Sequence, residues 1–388
     1  MKTISVFTST RAEYHLLYSV IKRINEDSEL NLDLIVSGTH LSKKYGYTIT
    51  QIEKDGFLIG EKIKTISDEG ENNVDEIIST TLLECSKHFK KVKSDFLIVL
   101  GDRYELLGPV IAAANALIPI AHIHGGETTE GAIDEAVRHA VTKFSYLHFP
   151  SCEPYRKRII QLGENPKNVY NVGSLGVENI LKQPLMSREE LSDNLKFDLS
   201  NYCLVTFHPV TLESGESPII ELGNLLDALD SFDEFKYIIT KANADSGGEM
   251  INKRLEEFVS NYRDKYILVD SLGMTRYLSA MKYCRMVIGN SSSGLLEAPS
   301  FSVPTINIGD RQKGRISAKS VINCEPIKDS IINAMKKANT EEFRMSIKNM
   351  PQLYGNGTAS ANIVRIIKET LNKGIDLKKH FYDLEDIK

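Results

Sequence analysis

From Asp95 to His139 the chain sets two apolar runs of strand length around one helix-length stretch, and both runs end in charge. DFLIVL (95–100) stops at Gly101, and Asp102-Arg103 follow directly. Tyr104 to Asn115, rich in Leu and Ala, reads as a helix. IPIAHIH (118–124) reads as a second buried strand and stops at Gly125-Gly126 and Glu127. A polar loop leads to a further helix that opens near Ile133-Asp134-Glu135, with Arg138 and His139 one turn on. A strand–helix–strand unit makes two neighbouring parallel strands whose carboxyl ends share one edge of the sheet. That edge is where open α/β sheets bind ligands. Asp102, Arg103, His124, Glu127, Asp134, Glu135, Arg138 and His139 all fall at such ends. Solvation or helix capping accounts for any one of them. It accounts poorly for acids, arginines and histidines recurring at consecutive strand ends, so a site is the better reading.

The same alternation fills the rest of the first half. KTISVFT (2–8) predicts a strand closed by Ser9-Thr10-Arg11, and a helix with apolar positions at Leu16, Leu17, Val20, Ile21 and Ile24 follows. The G-x-G-x-x-G dinucleotide fingerprint is missing here. A Ser/Thr cap beside an arginine still suits an anion, although Arg11 reads equally well as a solvated first-turn charge. LDLIVSG (32–38) predicts the next strand, then a helix near 41–55, a strand near 57–63, an acidic loop over 67–73 and a helix from Val74 to Lys91. SYLHFP (145–150) predicts another strand, followed by a helix over 155–162 and a strand and turn over 168–174. His40, His122 and His148 stand singly among apolar residues and read as core or edge histidines.

A chain of 388 residues is too long for one ordinary core. Gly173-Ser174-Leu175-Gly176 is the natural boundary. Beyond it YCLVTF (202–207), KYIIT (236–240), YILVD (266–270), MVIGN (286–290) and PTINIG (304–309) predict five strands with helices between them, a second parallel sheet. The expected architecture is α/β, two Rossmann-like domains with parallel sheets. The first spans 1–174, with a C-terminal helical segment, about 359–388, packing back on it; the second spans 175–358. Three strand ends in the second half carry chemistry. Asn290-Ser291-Ser292-Ser293-Gly294 precedes a helix that contains Glu297, and its hydroxyls and N–H groups suit a pyrophosphate. Gly309 to Arg315 places Arg311, Lys313 and Arg315 after one strand, enough cations for a diphosphate without a metal. His208 closes the first strand of the second domain.

The bulk numbers exclude several classes. A net charge of −5 argues against a nucleic-acid binder. Five scattered cysteines without C-x-x-C spacing argue against a disulfide framework or a zinc site. No apolar run reaches membrane-spanning length and the chain opens straight into a strand, so a cytoplasmic protein is expected.

Together GDRYE (101–105), HIHGGETTEGAIDEAVRH (122–139), FHPVT (207–211), GNSSSG (289–294), NIGDRQKGR (307–315) and the opening FTSTRAEY (7–14) resemble the hydrolysing UDP-N-acetylglucosamine 2-epimerases of sialic-acid synthesis. The resemblance covers almost the whole chain in the right order. It implies a GT-B-like architecture, two Rossmann-like domains facing a cleft that holds the nucleotide sugar. It implies the conversion of UDP-GlcNAc and water to ManNAc and UDP. Related non-hydrolysing epimerases carry HVEAG where this chain has HIHGG, which favours the hydrolysing branch. By the same resemblance Asp102, Glu127 and one of Asp134 and Glu135 match acids of the chemistry, and His208 a histidine that reaches the leaving diphosphate or the sugar. Arg11, Asn243, Ser291, Ser292, Glu297 and Arg311 match the UDP shell, Glu297 on the ribose hydroxyls. Arg103, His124 and Arg315 complete the expected substrate-binding set. No cofactor or metal is expected. The expected partner is a UDP-sugar, with no nucleic acid and no membrane, and the chain is expected to form a homo-oligomer, a dimer or tetramer. The same chemistry on a UDP-2,4-diacetamido-2,4,6-trideoxyhexose of the legionaminic-acid type, a non-hydrolysing epimerase, a GT-B glycosyltransferase and a silent nucleotide-sugar binder stay open as alternatives.

Overall fold

The structure, a computed structural model, describes residues 1–388 apart from 70–71, 129–132, 210–217, 243–247, 271 and 385–388. The chain divides into two compact units, Met1–Asn179 with Leu353–Lys388, and Ile180–Gln352. In the first, β1 (Lys2–Thr8), α1 (Arg11–Glu26), β2 (Leu30–Ser37), α2 (Ile49–Lys54), β3 (Ile59–Ile63), α3 (Val74–Lys91), β4 (Phe96–Leu100), α4 (Leu107–Asn115), β5 (Ile120–Ile123), α5 (Ile133–Phe144), β6 (Leu147–Phe149) and α6 (Glu153–Gln161) alternate, and α7 (Leu175–Lys182) follows. The sheet order is β3-β2-β1-β4-β5-β6 and every pairing is parallel. Helices cover both faces, which is why central strands read as unbroken apolar runs. Along β4 the faces alternate: Phe96, Ile98 and Leu100 join the core beneath α1, Leu97 and Val99 the core beneath α3 and α4.

α1 forms because Thr10 and Glu13 make a reciprocal capping box and because Tyr14, Leu17, Val20, Ile21 and Ile24 repeat on one buried face. Leu17 is fully buried, so Leu17→Ala costs about 2–5 kcal/mol. The helix expected over 41–55 is much shorter. Gly46 and Tyr47 both take positive φ, 91° and 47°, and break the helix, leaving α2 alone. The strand expected over 168–174 reduces to one parallel bridge between Val169 and His148. The glycine turn at 173–176 lies within the first unit: Ser174 N–H donates to the Tyr354 carbonyl at 2.7 Å. The chain leaves this unit inside α7.

The second unit holds α8 (Arg188–Leu195), β7 (Tyr202–Thr206), α9 (Pro218–Asp230), β8 (Lys236–Thr240), α10 (Gly248–Ser260), β9 (Tyr266–Val269), α11 (Gly273–Tyr283), β10 (Val287–Gly289), α12 (Ser293–Leu296), β11 (Thr305–Ile308), β12 (Val321–Cys324), α13 (Lys328–Asn339) and α14 (Glu341–Lys348). Its parallel sheet runs β12-β11-β10-β7-β8-β9. Read from β9, this is the same doubly wound order as in the first unit. Each sheet therefore has one switch point, between β1 and β4 and between β7 and β10, where ligands of such sheets bind. β12 was not expected, because the half-exposed edge strand VINC has no apolar run. α15 (Ala359–Lys373) belongs to the first unit and packs on α1, where Ser360 Oγ accepts from Arg23 Nε at 2.7 Å and Lys368 pairs with Asp27 at 2.7 Å.

Candidate active site

At the first switch point the end of β1 is turned inward. Glu13, one turn into α1, is buried, and its Oε2 accepts from Ser9 N–H at 2.7 Å, Ser9 Oγ at 2.8 Å and Thr10 N–H at 3.0 Å. Burial pushes its carboxyl up to about 7, against the pull of the Ser9 hydrogen bonds. The N–H groups expected to hold an anion are thus already taken. Arg11 stands exposed beside them as a charge without that cradle.

The ends of β4 and β5 converge on Arg138, which the sequence placed among the strand-end charges without a role of its own. Arg138 of α5 is 5% exposed. Its guanidinium pairs with Asp102, donates from Nη1 to the His124 carbonyl at 2.9 Å and lies 4.0 Å from Glu127 Oε2. Glu127 Oε1 accepts from Ser151 Oγ at 2.9 Å and sits 3.9 Å from His124 Nδ1. His124 takes the left-handed conformation, φ 61°, which aims its carbonyl at Arg138. Its Nε2 is buried without a hydrogen-bond partner among the described residues. Burial lowers its pKa, so the imidazole is neutral at pH 7. Gly126 allows the turn: φ is 78°, and a Cβ there would meet the Tyr155 carbonyl at 2.4 Å. On α5, Glu135 pairs with His139 at 3.1 Å, while Asp134 sits one turn before Arg138. Arg103 turns away and forks onto buried Glu105, at 2.6 and 3.1 Å. His40, His122 and His148 are held in the core, as expected. His40 lies between Thr8 and Thr48, His122 between Thr142 and the Gly101 carbonyl, and His148 on Glu164. Burial pushes His122 down to about 3.

At the second switch point Asn290 is the hub. Its side chain exchanges a doublet with the His208 backbone, 2.8 Å each way, while its carbonyl accepts from Arg311 Nη1 at 3.1 Å and Gln312 Nε2 at 2.9 Å. Gly289 before it is obligatory, since a Cβ would meet the Thr206 carbonyl at 1.9 Å. Beside this hub a pocket of about 450 Å³ is lined by Thr206, His208, Thr240, Lys241, Asp270, Leu272, Tyr277, Ser291, Ser293 and Glu297, among others. Burial pushes the Glu297 carboxyl up to about 7. α12 is one turn long, so its dipole adds little; the hydroxyls and Arg311 carry the polarity instead. Ser292 caps no N–H with its side chain. Arg315 and Lys313 line a different pocket, about 680 Å³, with Asn307, Asn323 and Glu325 at the ends of β11 and β12. The expected cation trio is therefore split: Lys313 and Arg315 line this pocket, while Arg311 is held on the Asn290 carbonyl. Asn243 lies outside the described residues. Among those described, no group of three or more His, Cys, Asp or Glu is placed to hold a metal.

Glu13 and Tyr277 were missed as site residues. Arg138 and Asn290 had been noted at strand ends, in the first-half set of charges and in the 290–294 motif, but were given no role of their own.

Two doubly wound parallel units, each with polar groups gathered at its switch point, define an α/β protein of two Rossmann-like units. The chain belongs to the UDP-N-acetylglucosamine 2-epimerase family, whose model matches residues 22–368. It is 39% identical to polysialic acid biosynthesis protein P7 of Escherichia coli, over 100% of this chain and 98% of that protein. It is 38% identical to the hydrolysing GDP/UDP-N,N'-diacetylbacillosamine 2-epimerase of Campylobacter jejuni, over 99% of each. The crystal structure of UDP-GlcNAc 2-epimerase from Neisseria meningitidis bound to UDP-GlcNAc matches the fold with a TM-score of 0.78 at 18% identity, over 95% of this chain and 100% of that one. No helix among the described residues is long and apolar enough to cross a membrane.

Proposed function

We propose that this epimerase is hydrolysing: it converts UDP-N-acetylglucosamine and water to N-acetylmannosamine and UDP, for a sialic-acid surface polysaccharide. The observation that carries the reading is the gathering of Asp102 and Glu127 about one buried guanidinium, beside the neutral His124. The HIHGGE motif and the hydrolysing activity in the C. jejuni relative's name support the hydrolytic step, and the E. coli relative's name supports the sialic-acid setting.

The chemistry explains why paired acids are needed. C1 of the sugar is an acetal carbon, so no carbonyl stabilises a carbanion at C2. A base therefore removes the C2 proton as the C1–O bond breaks, and UDP leaves with the electron pair, giving 2-acetamidoglucal. Water then adds to the double bond, its oxygen to C1 and a proton to C2 from the opposite face. Asp102, Glu127 and one of Asp134 and Glu135 divide this acid–base work. His208, Ser291, Ser292 and Arg311 hold the departing diphosphate, with Arg11 adding charge and Glu297 taking the ribose hydroxyls. Fixed cations at the leaving group make a metal unnecessary to this scheme.

A second reading has one specific observation in its favour, the printed activity of the C. jejuni relative. It is the same reaction on a UDP-2,4-diacetamido-2,4,6-trideoxyhexose. Incubation with each UDP-sugar in deuterated water decides between them. Free ManNAc carrying deuterium at C2 supports the first reading. Turnover of the trideoxy sugar alone replaces it with the second, UDP-ManNAc means a non-hydrolysing enzyme, and retained C2 hydrogen refutes elimination.

A further inference from the structure

The pocket of about 450 Å³ is crossed by a chain of hydroxyls, of which only Ser291 has a role above. Thr240 Oγ1 lies 2.7 Å from Thr206 Oγ1, both buried at the ends of β8 and β7. Thr206 also interacts with the Tyr277 hydroxyl, which lines the same pocket. The Tyr277 hydroxyl lies 2.7 Å from Ser293 Oγ, and Ser293 Oγ lies 2.8 Å from Ser291 Oγ. Each hydroxyl owns one proton, so such a chain has two polarities. In one, Thr240 donates to the Val205 carbonyl, a long contact of 3.4 Å, and every later proton points the same way. Ser291 then spends its proton on Ser293. In the other, every proton points the opposite way and the Ser291 proton is released into the pocket. Reversal gives up one long neutral bond at Thr240. It gains a bond from Ser291 to whatever anion the pocket holds, and charge-assisted bonds are about twice as strong as neutral ones.

We propose that Tyr277 is a positioning residue that acts through Ser293 to turn the Ser291 hydroxyl onto a bound diphosphate, the five hydroxyls reversing as one unit. This rests on the nucleotide-diphosphate reading of the same pocket. The aromatic ring serves the wall of the pocket; the hydroxyl serves the relay.

The test is a double-mutant cycle read by calorimetry with UDP and with uridine, which lacks the diphosphate. Tyr277→Phe keeps the ring and removes the relay. It should weaken UDP roughly five- to tenfold, the size of one net hydrogen bond, and leave uridine within about twofold. Added to Ser291→Ala it should cost nothing further, because both changes remove one interaction. Ser293→Ala breaks the relay from its other side and should repeat the Tyr277→Phe pattern; thermal melts confirm that each variant is folded. Additive losses, or equal losses for uridine and UDP, overturn the relay while leaving the nucleotide reading in place. Failure of the unmodified protein to bind UDP at all overturns both.

Discussion

Glu297 makes the proposed nucleotide site testable by pH alone. Its carboxyl is pushed up to about 7 by burial in the pocket wall. A carboxyl that accepts ribose hydroxyls works best ionised. At pH 6, one unit below that value, about a tenth of it is ionised, and at pH 8 about nine tenths, so the affinity for a ribose should rise about tenfold between them, or ~1.4 kcal/mol. Uridine is the right probe, because UDP would add the titration of its own phosphate. Calorimetry from pH 6 to 8 should show this rise, and Glu297→Gln should flatten it. Stability moves the other way. The folded value lies above the ordinary 4.5, so the stability linked to this group is fully present below 4.5 and is lost as pH rises through 7. Glu297→Gln should therefore raise the melting temperature by a few degrees at pH 8 and hardly at all at pH 4.5. Uridine affinity that is flat from pH 6 to 8 would refute the ribose assignment.

Two further outcomes follow from the first unit. Arg138→Met strips Asp102 and the His124 carbonyl of their donor and Glu127 of a positive charge 4.0 Å away; losing even one charge-assisted bond costs about 1.5–3 kcal/mol, so kcat/KM for UDP release should fall at least tenfold to a hundredfold. Arg138→Lys, which keeps charge without the fork, should fall between, and full activity in the Met variant would remove Arg138 from the site. His88 bridges Asp33 at 2.9 Å and Glu61 at 3.3 Å. Burial alone would lower its pKa, but the Asp33 bond and charge, then Glu61, raise it above 6.5. The stability it adds is therefore full below 6.5 and lost as pH rises through the raised value. His88→Gln should lower the melting temperature most at pH 5.5 and least at pH 9; an equal loss at both would show that the bridge acts through packing alone.

What could be read from the sequence, and what could not, divides by the range of the interaction. Unbroken apolar runs announce two-faced strands, and the residue just past each run must emerge at the carboxyl edge. The strand-end positions of Asp102, Glu127, His208 and Ser291 were legible for that reason, while the roles proposed for them rest on the family resemblance. Partnership was not. Arg138 reaches Asp102 across 36 residues of chain, and nothing local distinguishes it from a solvated helix arginine. Arg311 and Arg315 look equivalent in a basic loop, yet Arg311 donates to the Asn290 carbonyl while Arg315 lines the pocket at the ends of β11 and β12. β12 had no apolar run to announce it, because an edge strand is covered on fewer sides.

Glu13 shows how a local rule can be satisfied and still mislead. Ser9, Thr10 and Arg11 at a helix start fit an anion site by every local criterion, and the capping box that makes α1 start there is what closes it. The carboxylate of Glu13 occupies the N–H groups a phosphate would need. An incoming phosphate would have to displace a buried carboxylate bonded to Ser9 and Thr10, for little net gain in hydrogen bonds. The hydroxyls of the second unit offer the opposite economy, since turning them breaks one long bond and adds a charge-assisted one. On the proposed reading Ser291 and Arg311 hold the diphosphate, and Arg11 acts as an exposed charge rather than as part of a cradle. On this argument Arg11→Ala should weaken UDP less than Arg311→Ala does, and the weakening should fade as salt is raised, because an exposed charge is screened. A salt-independent loss at Arg11 equal to that at Arg311 would mean that Glu13 yields its N–H groups after all.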